Sequence, residues 1–215
     1  MTTRAKALLI TSVVALVVVI VVVIIAMVNR PAAVENTTTP SAQAANSHVL
    51  DDAGADAPVL VEFLDFECEV CGAFFPIVED LKAKYGDEVT FAFRYFPLPG
   101  HGNSVNAALA VEAAAQQGEF EAMYHHLFET QAEWGEQRES RPEIFRAFAE
   151  ELGLDMAAFD AAVADPATQQ RVEKDFAEGT LLGVTSTPTF FLDDKKLELN
   201  QLSDLTGALD NAIGR

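Results

Sequence analysis

Residues 58–76 read PVLVEFLDFECEVCGAFFP and hold both cysteines of the chain, Cys68 and Cys71. An apolar run over 59–64 reads as a core strand. Over 71–85, Phe74, Phe75, Val78, Leu81 and Tyr85 recur at helical spacing, and Gly86-Asp87 ends the segment. The cysteines thus stand where a strand hands over to a helix. Two intervening residues on the first turn of a helix bring the sulfurs within bonding reach. The first sulfur then lies near the free amide donors and the positive dipole end of the helix. Both conditions favour a thiolate, the nucleophile and leaving group of disulfide exchange.

Two other readings of the pair are a structural disulfide and half of a metal site. A zinc site wants four ligands, and the chain has no second C-x-x-C. His48, His101, His125 and His126 have no ligand spacing relative to the cysteines, and the adjacent His125 and His126 point to different sides of their helix. No metal is expected. The chain has no G-x-G-x-x-G, no Walker loop and no G-x-S-x-G elbow, and no cofactor is expected either.

After the pair, residues 89–96 alternate as a strand expected to lie parallel to the first. The loop Pro97-Leu98-Pro99-Gly100-His101-Gly102 follows at the sheet edge where ligands bind in such folds. His101 is in reach of that edge and is read as a solvated loop residue. Residues 103–183 carry only helical patterns, near 104–117, 120–131, 142–152, 156–164 and 166–182, with Gly118, Gly153 and Gly183 as stops. Trp134 reads as a core or interface aromatic. Residues 188–192 and 196–199 form a hairpin about Asp193-Asp194, and 203–213 is a closing helix.

These motifs resemble thioredoxin-fold enzymes, and more closely the DsbA-like thiol-disulfide oxidoreductases. Glu62 stands six positions before Cys68, where that superfamily places a buried acid, and Pro76 stands where its active-site helix is kinked. Thr185-Ser186-Thr187-Pro188-Thr189-Phe190-Phe191 resembles the cis-proline loop and its strand. A plain thioredoxin is much shorter between these motifs, and DsbA-like proteins fill the gap with helices. The resemblance implies an α/β thioredoxin fold, a four-stranded mixed sheet flanked by helices. Its core would be residues 58–102 and 184–215, with 103–183 as an all-helical insertion. It implies an exposed Cys68, a buried Cys71, Glu62 moving protons for Cys71, and Thr187 with Pro188 holding an extended client.

Residues 7–28 carry no charge and, as a helix, would span about 33 Å, enough for a bilayer core. The run exceeds the usual signal-peptide apolar region, and Ala42-Gln43-Ala44, which has the form of a cleavage site, lies too far beyond it. An uncleaved signal anchor is expected, with residues 1–6 cytoplasmic and the bulk of the chain outside. Residues 29–57 read as a flexible linker, roughly 30 Å from end to end. Within it His48 has no assigned role.

Acids outnumber bases 33 to 14. That balance argues against nucleic acid or an anionic lipid surface as partner. The expected protein is a membrane-tethered oxidoreductase exchanging disulfides with secreted or cell-envelope proteins, in the disulfide-forming direction and in a compartment where such bonds persist. A membrane redox partner would recycle its pair. No dimerisation segment is visible, so a monomer is expected. Strong DsbA oxidants carry Pro-His between their cysteines, whereas this chain has Glu69-Val70, with Glu67 before the pair. Like-charge repulsion should raise the Cys68 pKa and weaken the oxidant. Thr187 before the proline also suits a reductase or isomerase. The rivals are an anchored binding or chaperone domain with a structural disulfide, and a copper-delivery relative, which would want C-x-x-x-C and a well-placed histidine.

Overall fold

The structure, a computed structural model, describes residues 40–137 and 139–215. The expected membrane segment 7–28, the basic residues before it and positions 29–39 of the linker lie outside the described residues. Among the described residues no helix is long and apolar enough to cross a membrane.

Five strands form one mixed sheet: β1 (His48–Asp51), β2 (Val59–Leu64), β3 (Thr90–Tyr95), β4 (Thr189–Leu192) and β5 (Lys195–Lys196), in the order β1-β3-β2-β4-β5. β2 and β3 pair in parallel, and the other neighbours are antiparallel. Helix α1 (Glu69–Tyr85) joins the parallel strands. Beyond β3 come α2 (Ser104–Ala115), α3 (Phe120–Glu129), α4 (Gln131–Trp134), α5 (Pro142–Glu151), α6 (Met156–Ala164) and α7 (Pro166–Leu181), and α8 (Leu202–Ala212) closes the chain.

Four strands were expected, and five are present among the described residues. The additional one, β1, lies in the stretch read as flexible linker 29–57. Its composition is polar, but its groups find partners that composition does not reveal. His48 opposes Phe93 in the register, stacks on Phe120 at 4.4 Å and bonds Glu112 at 2.8 Å. Upstream, the Arg94 guanidinium donates to the carbonyls of Ser41 (3.2 Å) and Ala42 (3.4 Å), and Arg171 donates to that of Asn46. Asp194 accepts from the Ser41 hydroxyl and the Ala42 amide. Residues 41–51 are therefore fastened to the domain, and His48 has a structural role.

Successive side chains of β2 point to opposite faces. Leu60 packs with Val78, Leu81, Phe190, Leu205 and Leu209, under α1 and α8. Val61 and Phe63 pack with Ala92, Phe96 and Phe191 on the other face. There α7 comes close through Gly179, where a Cβ would lie 2.9 Å from the rings of both Phe63 and Phe96. Both faces are covered, so β2 and β3 are apolar almost without interruption. The charged exception in β3 is Arg94, buried against the equally buried Asp175 of α7 at 2.6 Å. Among the helices between β3 and β4, buried Ala107, Ala108, Ala110, Ala113 and Ala114 make α2 a slim central helix against which its neighbours pack. Trp134 is fully buried there, edge-on to Phe145. The hairpin turn at Asp193 and Asp194 has φ of 47° and 63°, the left-handed pair that suits a two-residue connection. Strand β5 is shorter than the expected 196–199.

Candidate active site

Cys68 is the N-cap of α1 and Cys71 falls in its first turn. Both are free thiols. Pro76 lies inside the same helix. The peptide bond Thr187-Pro188 is cis. Across the gap, the Cys68 thiol donates to the Thr187 carbonyl at 3.5 Å. Glu62 lies on β2 opposite Phe93 on one side and Phe190 on the other, and is only 5% exposed. The fold thus draws Glu62, Cys68, Cys71, Thr187 and Pro188 to one end of the sheet.

The environments of the two sulfurs differ. Cys68 is lowered from 9.0 to about 6, first by the hydrogen bond that the Cys71 thiol gives it, against the cost of burial. The Thr187 side chain and the amides of Cys71 and Val70 lower it further. Cys71 is pushed well above 9.0, first by burial, then by that same hydrogen bond and by the charges of Glu62 and Cys68. Glu62 is raised to about 8, chiefly by burial and then by the Cys68 and Glu79 charges. The arrangement offers one thiolate at neutral pH, one protonated thiol, and one acid that holds its proton.

Two expectations change. Cys68 is not exposed: 4% of its surface is accessible, against 1% for Cys71, because the Thr187 carbonyl sits over its sulfur. Nor do Glu67 and Glu69 prevail over the helix start. Glu67 is buried with its carboxylate turned onto the Asn103 amide at 2.5 Å, and the net direction for Cys68 is downward.

His101 is also more than a solvated loop residue. Its Nδ1 donates to the Asp65 carboxylate at 2.7 Å. That carboxylate also accepts from Ser104 Oγ, at 2.6 and 2.7 Å, and from the amides of Glu67 and Leu98, each at 2.9 Å. Asp65 thereby ties the redox turn to the loop after β3 and to the start of α2. From the insertion, Gln131 donates to the carbonyls of Phe66 (2.7 Å) and Cys68 (2.8 Å). A Cβ on Gly72 would fall 2.0 Å from the Gln131 side chain, so this contact needs a glycine directly after Cys71. Nothing in the local sequence pattern marks Gly72 or Gln131 for this contact. A groove of about 470 Å³ runs beside the pair, lined by Val70, Phe74, Thr185–Pro188 and Leu197 among others. Among the described residues no cluster of three or more His, Cys, Asp or Glu side chains is placed to hold a metal ion.

A family model described as Thioredoxin matches residues 53–211. The chain belongs to the thioredoxin family. Within this family, its fold is similar to that of a thioredoxin-like oxidoreductase from Silicibacter pomeroyi DSS-3. The identity is 28%, the TM-score 0.66, and the match covers 80% of this chain and 95% of the other. It is similar to oxidised BdbD from Bacillus subtilis, with 25% identity, a TM-score of 0.66, and coverage of 79% and 94%. Alpha-DsbA1 from Wolbachia pipientis shares the fold at 22% identity and a TM-score of 0.66, over 80% of this chain and 93% of that one. This thioredoxin-family chain thus has the fold of DsbA-like thiol-disulfide oxidoreductases. Among curated proteins it is similar to Na(+)/H(+) antiporter NhaA 1 of Mycobacterium sp. (strain KMS), 34% identical over 175 residues, covering 79% of this chain and 27% of the relative. It also matches Na(+)/H(+) antiporter NhaA of Herminiimonas arsenicoxydans, 38% identical over 138 residues, covering 64% and 21%. The chain spans about a quarter of the length of these relatives.

Proposed function

We propose that the protein is a membrane-tethered, extracytoplasmic thiol-disulfide oxidoreductase that forms disulfides in secreted or cell-envelope proteins. The observation that carries this reading is the unequal pair: a Cys68 thiolate at a helix N-cap beside a Cys71 that keeps its proton. A staple needs no such asymmetry. A pKa of about 6 falls between values of about 7 for thioredoxin and about 3.5 for DsbA. A stabilised thiolate favours the reduced enzyme and makes its disulfide the better oxidant.

In the forward reaction a client thiolate attacks Sγ of Cys68 in the Cys68–Cys71 disulfide. The S–S bond breaks, Cys71 leaves with the electron pair and takes a proton, and a mixed disulfide forms. A second client thiolate then attacks the client sulfur, and Cys68 leaves as a thiolate. The client has lost two electrons and two protons, and the enzyme has gained the electrons. Glu62 is the buried acid placed to pass the proton to and from Cys71. The groove beside Thr187 and Pro188 suits an extended client pairing with the loop backbone. A membrane redox partner removes the electrons from the reduced pair. The charge-free segment 7–28 supports the tether, and relatives named as antiporters support a membrane setting.

The test uses the full chain in detergent, equilibrated across glutathione buffers with the thiols counted by labelling, and then mixed with reduced ribonuclease A. We expect a potential more oxidising than about −270 mV, the thioredoxin value, and transfer of the disulfide to the client. The Cys71→Ser variant should accumulate a mixed disulfide through Cys68. A potential at or below that of thioredoxin would move the reading to a reductase. A pair that reduces only on unfolding would leave a structural staple.

A further inference from the structure

The redox turn is surrounded by acids: Glu62 beneath it, Asp65 and Glu67 before Cys68, and Glu69 after it. One basic side chain enters this group from a distant element. His101, on the loop after β3, is fixed by a 2.7 Å bond from Nδ1 to an Asp65 carboxylate that has no exposed side-chain surface. Asp65 is also bound to the pair, because its carbonyl accepts the Cys68 amide at 3.1 Å. The imidazole is therefore held against the turn and retains about a quarter of its own surface to solvent.

We propose that His101, anchored on Asp65, is a positioning residue whose positive charge stabilises the Cys68 thiolate and so sets how strongly the Cys68–Cys71 disulfide oxidises. The inference rests on the exchange reading above. The groups that face His101 are Asp65, Glu67 and Cys68 from the redox turn, with Glu173 of α7 across a second groove, which Leu98, Val172 and Phe176 also line. Burial opposes its charge, yet the hydrogen bond and charge of Asp65, with Glu67 and Cys68, raise it above 6.5. Coupling between two charges is reciprocal. If the Cys68 thiolate holds a proton on His101, then protonated His101 holds the thiolate. The reducing dithiol gives up two electrons and two protons. One proton goes to Cys71, and the other is released to solvent when Cys68 stays ionised. The imidazolium favours that ionised product, and its loss above its own pKa weakens the oxidant.

Two measurements on the full chain test this. The first follows the His101 ring by NMR against pH, in dithiothreitol-reduced and diamide-oxidised protein. Its midpoint should be higher in the reduced form, where the thiolate is present. Equal midpoints in the two forms would overturn the inference. This readout needs no client, so it stands or falls separately from the exchange reading. The second compares the glutathione equilibrium of the parent, His101→Asn and His101→Lys. At pH 6.5 the Asn variant should be about threefold less oxidising than the parent, and the gap should close as pH rises through the titration of the parent histidine measured by NMR. The Lys variant should match the parent at pH 6.5 and exceed it once the pH has passed that titration. A gap between Asn variant and parent that is absent, or constant with pH, would also overturn it.

Discussion

The Cys68 thiol donates to the Thr187 carbonyl at 3.5 Å, while the Thr187 hydroxyl beside it is buried without a partner. When Cys68 is ionised it can no longer donate to the carbonyl, and the hydroxyl is the donor at hand. Thr187 therefore serves both states of the sulfur through different atoms.

Thr187→Val keeps the shape and removes that donor. The Cys68 midpoint, read from the pH dependence of iodoacetamide alkylation, should rise from about 6, since the Thr187 side chain is among the groups lowering it. A hydrogen bond to a charged group contributes about 1.5–3 kcal/mol, so a rise of about one unit or more is expected. An unchanged midpoint would show that the Thr187 hydroxyl does not contribute to it.

Glu62 makes stability depend on pH in a definite direction. Its folded value, about 8, lies above the ordinary 4.5. Between these values the folded chain holds a proton that the unfolded chain has released, so stability falls as pH rises through this window. Glu62→Gln has no proton to release. Its stability relative to the parent should be about 3–5 kcal/mol greater at pH 8.5 than at pH 4.5. Urea unfolding at the two pH values measures this, and an equal difference at both would contradict it. The same variant should slow the release of Cys71 in exchange.

Arg94 and Asp175 form a pair with no exposed side-chain surface, and Asp175 also accepts the Tyr95 amide at 3.2 Å. Asp175→Ala leaves the guanidinium buried without its main partner and should cost about 3–5 kcal/mol in urea unfolding. The double variant Arg94→Met/Asp175→Leu should recover much of that loss. A double variant as unstable as the single one would assign the cost to packing rather than charge.

Gly179 tests the fit of α7 on the sheet. Alanine would favour the helix by about 1 kcal/mol. Its Cβ would meet Phe63 and Phe96 at 2.9 Å, and overpacking of this kind costs about 1–3 kcal/mol. Gly179→Ala should come out destabilised on thermal unfolding, and a raised melting temperature would mean that the rings move aside.

Much of the fold is legible in local pattern. Apolar runs marked β2 and β3, helical spacing marked α1 and the insertion, and Asp193-Asp194 marked the hairpin. The strand β1 was not legible, because its stability lies in partners far along the chain: Glu112 for His48, Arg94 for Ser41 and Ala42, and Asp194 for the same two residues. Polar composition signals coil when the partners are unseen. The buried acid Glu62 was marked by its position six residues before Cys68, where thioredoxin-fold enzymes carry one, but the distant partners of Asp65, Glu67 and Gln131 were not legible.

The sequence by itself determined the chemistry on offer: two cysteines at a strand-to-helix junction, a buried acid before them, and a threonine-proline pair far downstream. Spacing and hydrophobic period, which are local properties, place the cysteines, and the resemblance to thioredoxin-fold enzymes adds the acid and the proline. Only the tertiary structure decided the electrostatic balance at Cys68. Glu67 and Glu69 are neighbours in sequence and were expected to prevail. Folding instead turns Glu67 onto the Asn103 amide and brings Thr187 over the sulfur and His101 onto Asp65. Charges act through distance and dielectric, and in a folded chain neither follows from order along the sequence.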